Sequence, residues 1–287
     1  MKMRIDSFFN IIQLLYFLVA ICVGKNVYAQ SYYQGMGGAG VSMVGPSEAA
    51  VLNPALLGYM DKNHANIFFN QFQYQPNTLS NKKDDKSFGL VMVDTRTSEL
   101  IPGALSFEKQ ENEIAGTEAR LYKLSLARRE YVKASFGLAL QRYEFTAPTT
   151  AKNEHDVNLG VTISPTEVFG ISFVVDNLTS DGGDLLKKYY SLGLHYIYEP
   201  FLKFTLDLGK QDRGHGDSTP DLKTGFSVPI GFLDLSFGYG SLKSKDIDYF
   251  SGGLIWRGPR MAFSYAYRDL LGSRSGDGHF IDIGIFF

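Results

Sequence analysis

"GHFIDIGIFF", residues 278–287, decides the fold. In an extended chain Ile281, Ile283, Ile285 and Phe287 fall on one side, and Phe280, Asp282, Gly284 and Phe286 on the other. A period of two belongs to a β-strand, whose successive side chains point to opposite faces. The same split recurs upstream. Met261, Phe263, Tyr265 and Tyr267 oppose Ala262, Ser264, Ala266 and Arg268, while Leu233, Leu235, Phe237 and Tyr239 oppose Asp234, Ser236, Gly238 and Gly240. Leu202, Phe204, Leu206 and Leu208 likewise oppose Lys203, Thr205, Asp207 and Gly209, and similar stretches surround Leu192, Ile171, Leu159, Leu138 and Leu124. One face is large and apolar, the other small or polar.

A soluble sandwich alternates too, so the pattern alone does not say which face meets solvent. Three features favour a membrane barrel with the apolar face outward. First, fourteen segments alternate, an even number, near 64–74, 87–96, 101–110, 119–127, 131–145, 155–164, 168–177, 189–198, 201–210, 220–228, 232–240, 247–257, 260–268 and 278–287. Their links alternate in length: long polar ones at 75–86, 147–156 and 211–219, minimal ones at Glu199-Pro200, Pro229–Gly231 and Gly258-Pro259. Second, most segments have the about nine to eleven residues that cross the hydrocarbon layer when tilted. Third, Phe287 closes the last strand on an aromatic, similar to the C-terminal assembly signal of outer-membrane barrels, which implies the barrel assembly machinery as a partner during biogenesis. The expected fold is all-β, a transmembrane antiparallel up-and-down barrel of about fourteen strands (12–14). Closure leaves no unpaired backbone edge in lipid. Both termini are expected on the short-turn, periplasmic side of the outer membrane of a Gram-negative bacterium, with membrane lipid against the apolar face. Tyr190, Tyr196, Tyr198, Tyr265 and Tyr267 fall on that face and suit interfacial girdles.

The beginning of the chain agrees with export. Lys2 and Arg4 precede an apolar run from Phe8 to Gly24, followed by Val27-Tyr28-Ala29-Gln30 with cleavage expected after Ala29, so residues 1–29 read as a cleaved signal peptide. With Asn10 and Gln13 inside it, the run is short and weak for a membrane span. Cys22 is the one cysteine of the chain and leaves with the signal, which removes disulfides, thiol metal sites and thiol nucleophiles. Ile21 before it is too large for the usual lipidation site. Lys and Arg number 28 against 30 Asp and Glu. The formal charge of −2 becomes about −4 once Lys2, Arg4, Lys25 and Asp6 are gone, and offers nucleic acid no basic surface. The 22 Phe, 17 Tyr and 30 Gly beside a single Trp fit a bacterial envelope β protein.

"GMGGAG" at 35–40 satisfies G-x-G-x-x-G at Gly35, Gly37 and Gly40. A dinucleotide site needs a buried strand feeding that turn, and only five residues separate the expected cleavage point from Gly35. No strand-helix alternation follows either, which excludes a Rossmann fold. A fourteen-stranded barrel is too wide for its own side chains to fill, and residues 30–62 are the segment left over before the first strand at about 63. These residues read as an N-terminal luminal hatch ahead of the barrel, 63–287. The hatch holds a short helix over 47–52 with Ser47 as N-cap and Glu48 in its first turn, then a turn forced by Asn53 and Pro54.

"GMGGAGVSMVGPSEAAVLNPALLGYM", residues 35–60, resembles the N-terminal hatch of the FadL-type outer-membrane transporters of hydrophobic compounds. The resemblance rests on Gly35, Gly37, Gly38 and Gly40 and on the Asn53-Pro54-Ala55 triplet followed by Leu56. The stretch is similar as well to the start of PorV and PorQ, barrels of the type IX secretion machinery. The FadL resemblance implies passive, gated movement of a small hydrophobic compound through the barrel wall. The PorV resemblance implies the alternative, a non-transporting scaffold for a secretion-system or cargo partner. In FadL-type proteins an inward kink in the third strand opens a lateral exit. Here the third segment begins with Pro102, which lacks a ladder donor, and Gly103, which lacks a side chain, and these two are the candidate lateral gate. The lumen-facing positions, often Gly, Ser, Thr, Lys or Asp, depart from a greasy channel. No enzyme, cofactor or metal is expected: His215 beside Asp212, Asp217 and Ser218 matches no ligand spacing and reads as a solvated loop.

Overall fold

The computed structural model describes residues 31–43, 45, 49–75, 83–98, 100–112, 116–130, 133–180, 186–198, 201–212, 220–243, 247–271 and 275–287. The expected signal peptide, the Ser47–Glu48 cap and the 213–219 loop with His215 lie outside the described residues. Fourteen strands form: β1 (His64–Gln75), β2 (Lys83–Asp94), β3 (Gly103–Asn112), β4 (Thr117–Glu130), β5 (Ala134–Ala147), β6 (Thr150–Thr166) and β7 (Phe169–Asp176). The second half comprises β8 (Tyr189–Tyr198), β9 (Leu202–Gln211), β10 (Asp221–Ile230), β11 (Leu233–Leu242), β12 (Ile247–Arg257), β13 (Met261–Leu271) and β14 (Ser275–Phe286). Each pairs antiparallel with its sequence neighbours, and β1 pairs with β14 from His64↔Phe286 to Gln75↔Ser275, which closes the barrel. The last strand, whose alternation is the clearest in the sequence, is thus the seam.

The faces are inverted relative to a water-soluble protein. On outward faces Leu105 is 60% exposed, Leu140 50% and Phe237 49%, whereas the inward Thr162 and Thr205 are 0% exposed and Asp207 3%. Burying one large apolar side chain is worth about 1.5–3 kcal/mol, so a belt of such residues around the whole barrel is stable against hydrocarbon and not against water. The alternation therefore describes a transmembrane barrel. On β3 to β5 the outward apolar stretch ends in paired charges: Lys109 Nζ lies 2.8 Å from Glu111 on its own strand and 3.0 Å from Glu118 on β4, and within β5 Arg142 lies 2.6 Å from Glu144. That row marks where the wall leaves the hydrocarbon.

Three expected links come out differently. The stretch 147–156 is not a loop. β5 and β6 pair continuously from Ala134↔Ile163 to Ala147↔Thr150, and only Pro148 and Thr149 lie between the two strands. Beyond the lipid both faces of a hairpin meet water, so the amphipathic signal vanishes while the ladder continues. On the terminus side the β2–β3 link, 95–102, is longer than the stretch 97–100 left between the expected segments. It is ordered by Asp94 Oδ1, which accepts from the N–H groups of Arg96 and Thr97 at 3.0 Å each, and by Asn63 Oδ1, which accepts from Thr95 N–H at 2.9 Å. Pro229 and Ile230 belong to β10, and the turn there is Gly231-Phe232. Pro229 pairs only toward β11, opposite Asp234; the pairing of β10 with β9 ends at Ser227, so its missing N–H removes no bond on that side.

Candidate functional site

The described residues of the segment, 31–43, 45 and 49–60, pack against the inward faces of β4 to β6 and β11 to β14. They form α1 (Ser31–Gly35), α2 (Ala49–Leu52) and a 3-10 helix (Pro54–Tyr59). Their two halves meet the wall by different physics. Ala50 and Leu57 join the inward Phe68, Val91, Val93, Ala104 and Ala127 of β1 to β4 in one apolar cluster, with Val51 and Met60 against it. Tyr32, Tyr33, Met36 and Met43 instead pack with Ala49 and Leu56 of the same segment, and Ile255 is the wall residue in that cluster.

The first half is held to the wall by hydrogen bonds. Ser31 N–H donates to Asp282 Oδ2 at 2.6 Å, and Ser31 Oγ meets both that carboxylate and Ser264 Oγ, the latter at 2.8 Å. Gly37 N–H donates to Ser251 Oγ at 2.9 Å, and Gly37 O accepts from the Tyr249 hydroxyl at 2.8 Å. Gly40 and Val41 N–H both donate to Asp207 Oδ2, at 2.7 and 3.1 Å. The Gly37 and Gly40 amides are thereby committed to wall oxygens, and those of Met36, Gly38 and Ala39 to carbonyls of the segment itself, which is the opposite of a phosphate cradle. Gly37 has φ +70, and a Cβ there would lie 2.6 Å from the carbonyl oxygens of Thr224 and Tyr239. A Cβ on the wall residue Gly238 would lie 2.0 Å from Gly37 N. Glycine is required on both sides for backbone to touch backbone.

Asn53, Pro54 and Ala55 form the second anchor. Asn53 Oδ1 caps the 3-10 helix by accepting from Ala55 N–H at 2.9 Å, with Pro54 in the first helical turn, where no N–H is needed. Its Nδ2 donates to Val41 O at 2.8 Å and to Thr162 Oγ1 at 3.0 Å, so one amide joins the segment to itself and to β6. The wall is glycine opposite it: a Cβ on Gly160 would meet Asn53 Oδ1 at 2.1 Å, and one on Gly137 would meet Ala55 N at 2.2 Å. Lys123 Nζ adds a bond to Val51 O at 2.8 Å. Because Asn53 is fully buried, Asn53→Ala should strand the Val41 carbonyl and uncap the Ala55 N–H, while the Thr162 hydroxyl keeps Ser172 Oγ at 2.7 Å; we expect a loss of about 1–3 kcal/mol in urea unfolding and faster proteolysis within 31–60.

At the terminus-side mouth a cavity of about 430 Å³ lies between Tyr32 and Met43 of the segment and the wall residues Lys203, Ile255, Arg257 and Asp282. Lys203 and Arg257 meet there on the buried Asp234 carboxylate, at 3.4 and 2.5 Å, and the Arg257 guanidinium stands 5.6 Å from the Tyr32 ring centre. Of the sequence candidates, Pro102 and Gly103 sit at the foot of β3, next to Ala104 of the apolar cluster that holds Ala50 and Leu57. Pro102 O accepts from Ala127 N–H at 3.0 Å, and Gly103 is in register with both Asp94 and Leu126. Phe287 N–H donates to Asn63 O at 3.1 Å beside the seam. The wall anchors Asp207, Asp282, Ser251 and Thr162 carry no motif. Their only sequence signal is a short polar side chain at an inward position of a strand.

The barrel class is thus a closed fourteen-stranded transmembrane wall with a polar, occupied interior. No family model matches the sequence, and no curated protein matches it. Solved structures with this fold include the CymD monoaromatic hydrocarbon channel, with TM-score 0.65, 13% identity, 90% of this chain and 97% of that one covered. A Pseudomonas aeruginosa FadL homologue gives TM-score 0.65 at 13% identity over 92% and 99% of the two chains. The Ralstonia pickettii toluene transporter TbuX gives 0.65 at 12% identity over 90% and 98%. The chain therefore has the fold of the FadL-type channels.

Proposed function

We propose that the protein is a FadL-like outer-membrane channel for the passive, gated passage of a small hydrophobic compound, with residues 31–60 as its hatch. The observation that carries this reading is the unequal seating of that segment. Residues 50–60 join the apolar cluster of β1 to β4 and add the Asn53 and Lys123 bonds to it, whereas residues 31–41 pack chiefly on their own segment and reach the wall mainly through hydrogen bonds that water or a passing solute can replace. A hydrogen bond exchanged for one to water changes little free energy, whereas leaving an apolar contact exposes surface. The first half is the moving half. The monoaromatic compounds named for CymD and TbuX are the solute class to try first. Pro102 and Gly103 are the lateral exit under this reading, and opening there requires release of the Ala127 N–H from Pro102 O.

The Ser31 and Ser264 hydroxyl oxygens stand 2.8 Å apart, so Ser31→Cys with Ser264→Cys places two thiols in bonding reach. In liposomes loaded with a toluene-sensitive dye, the oxidised double variant should lose solute uptake and regain it on reduction. Equal uptake in both redox states rules out movement of this half. The PorV-like scaffold is a second reading, favoured by the β5–β6 hairpin, whose paired strands run up to Ala147↔Thr150 beyond the charged outward row of Arg142 and Glu144. It predicts a stoichiometric partner recovered from crosslinked membranes, and recovery of the barrel alone counts against it.

A further inference from the structure

The outer wall carries a trench across β2 to β6. Strand register lines up Leu105, Leu124 and Leu140 in one cross-strand row and Phe107, Tyr122, Arg142 and His155 in the next. Between the rows the backbones of Ser106, Lys123 and Gln141 form a floor, since their side chains point inward. The resulting trench has a volume of about 480 Å³ and is closed on the β2 side by Leu90 and Met92. It runs across the strands from β2 to β6, four steps of about 4.8 Å or roughly 19 Å in all. The hydrocarbon of one leaflet is about 15 Å deep, so the trench has the length of an acyl chain.

Its two ends differ chemically. Leu90, Met92 and Leu105 make one end wholly apolar, and Arg142 and His155, both exposed, make the other cationic or hydrogen-bonding. The row next beyond the trench, Lys109, Arg120 and Glu144, is charged, so the trench lies just inside the edge of the membrane. The outward Leu124, Leu126, Leu138 and Leu140 precede that row. Arg142 spends one side of its guanidinium on Glu144 at 2.6 Å and keeps half of its side chain exposed, which leaves N–H donors for a second oxyanion. The ladder beneath is unbroken from Gly103 to Asn112 on both sides of β3, so the trench opens to lipid and not to the lumen.

We propose that this trench is a binding site for one phosphate-bearing membrane lipid, with an acyl chain between the two rows and the phosphate on Arg142 and His155. The test uses the full chain purified from detergent, mixed with phosphatidylglycerol or with diacylglycerol of the same tails, washed, and examined by native mass spectrometry. One retained phosphatidylglycerol is expected, and no retained diacylglycerol. The double variant Arg142→Gln/His155→Gln should lower retention about tenfold, and Leu124→Trp, which fills the trench without touching the charges, should do the same. Both changes are on the outer face, and heat-dependent gel mobility checks that the barrel is folded. Equal retention by the wild type and both folded variants overturns the proposal. So does equal retention of diacylglycerol, or displacement of the lipid by a neutral hydrocarbon, which assigns the trench to a solute.

Discussion

A barrel lacking residues 31–60 will conduct ions steadily in a planar lipid bilayer where the full-length chain stays closed. The expectation follows from width. Fourteen strands enclose more space than their inward side chains fill, and many of those here are Gly, Ser and Thr. What occupies the middle is the segment bonded to Asp207, Asp282, Ser251 and Thr162. Without it those polar groups line water, which solvates them at little cost. The strands themselves keep every ladder bond, so the shell should still assemble and show heat-dependent gel mobility. A folded deletion variant as closed as the full chain would mean that something else fills the lumen.

The second large effect tests the wall. Phe237 faces outward at the middle of β11, in register with the outward Phe226 across the β10–β11 pair and with a ring separation of 5.5 Å. Phe237→Arg places a charge in hydrocarbon and should destabilise the folded barrel by about 2–4 kcal/mol. The same substitution at Tyr198, the last residue of β8 at the terminus-side rim, should cost only about 0–1 kcal/mol because the charge reaches the headgroups. Urea titration in lipid vesicles reads both. Comparable small losses at the two positions would mean that water, and not hydrocarbon, surrounds the outward face.

Strand positions were legible because the period of two survives wherever one face is greasy and the other is not. All fourteen segments read from the sequence correspond to strands, and their ends shift by a few residues. The largest shift is at β6, which begins at Thr150, inside the stretch 147–156 read as a loop. There Thr150, Ala151, Lys152 and Asn153 are all exposed, and a strand wet on both faces leaves no hydrophobic trace. The Asn53-Pro54-Ala55 triplet could be singled out in the chain, but its partner Thr162 lies 109 residues away and is one of many inward hydroxyls. Asp207 was legible as lumen-facing and not as the acceptor for Gly40 and Val41, since that pairing spans 167 and 166 residues.

By itself the sequence determined the spacing of the strands, the parity of their faces and the presence of a small-residue segment ahead of them. Each of these is set by local side-chain alternation and glycine content. Only the tertiary structure decided that β1 joins β14, that the apolar face turns outward, and that the interior is occupied by residues 31–60. Alternation is symmetric to exchange of inside and outside. The asymmetry appears when the ring closes and some backbone must lie against the polar face.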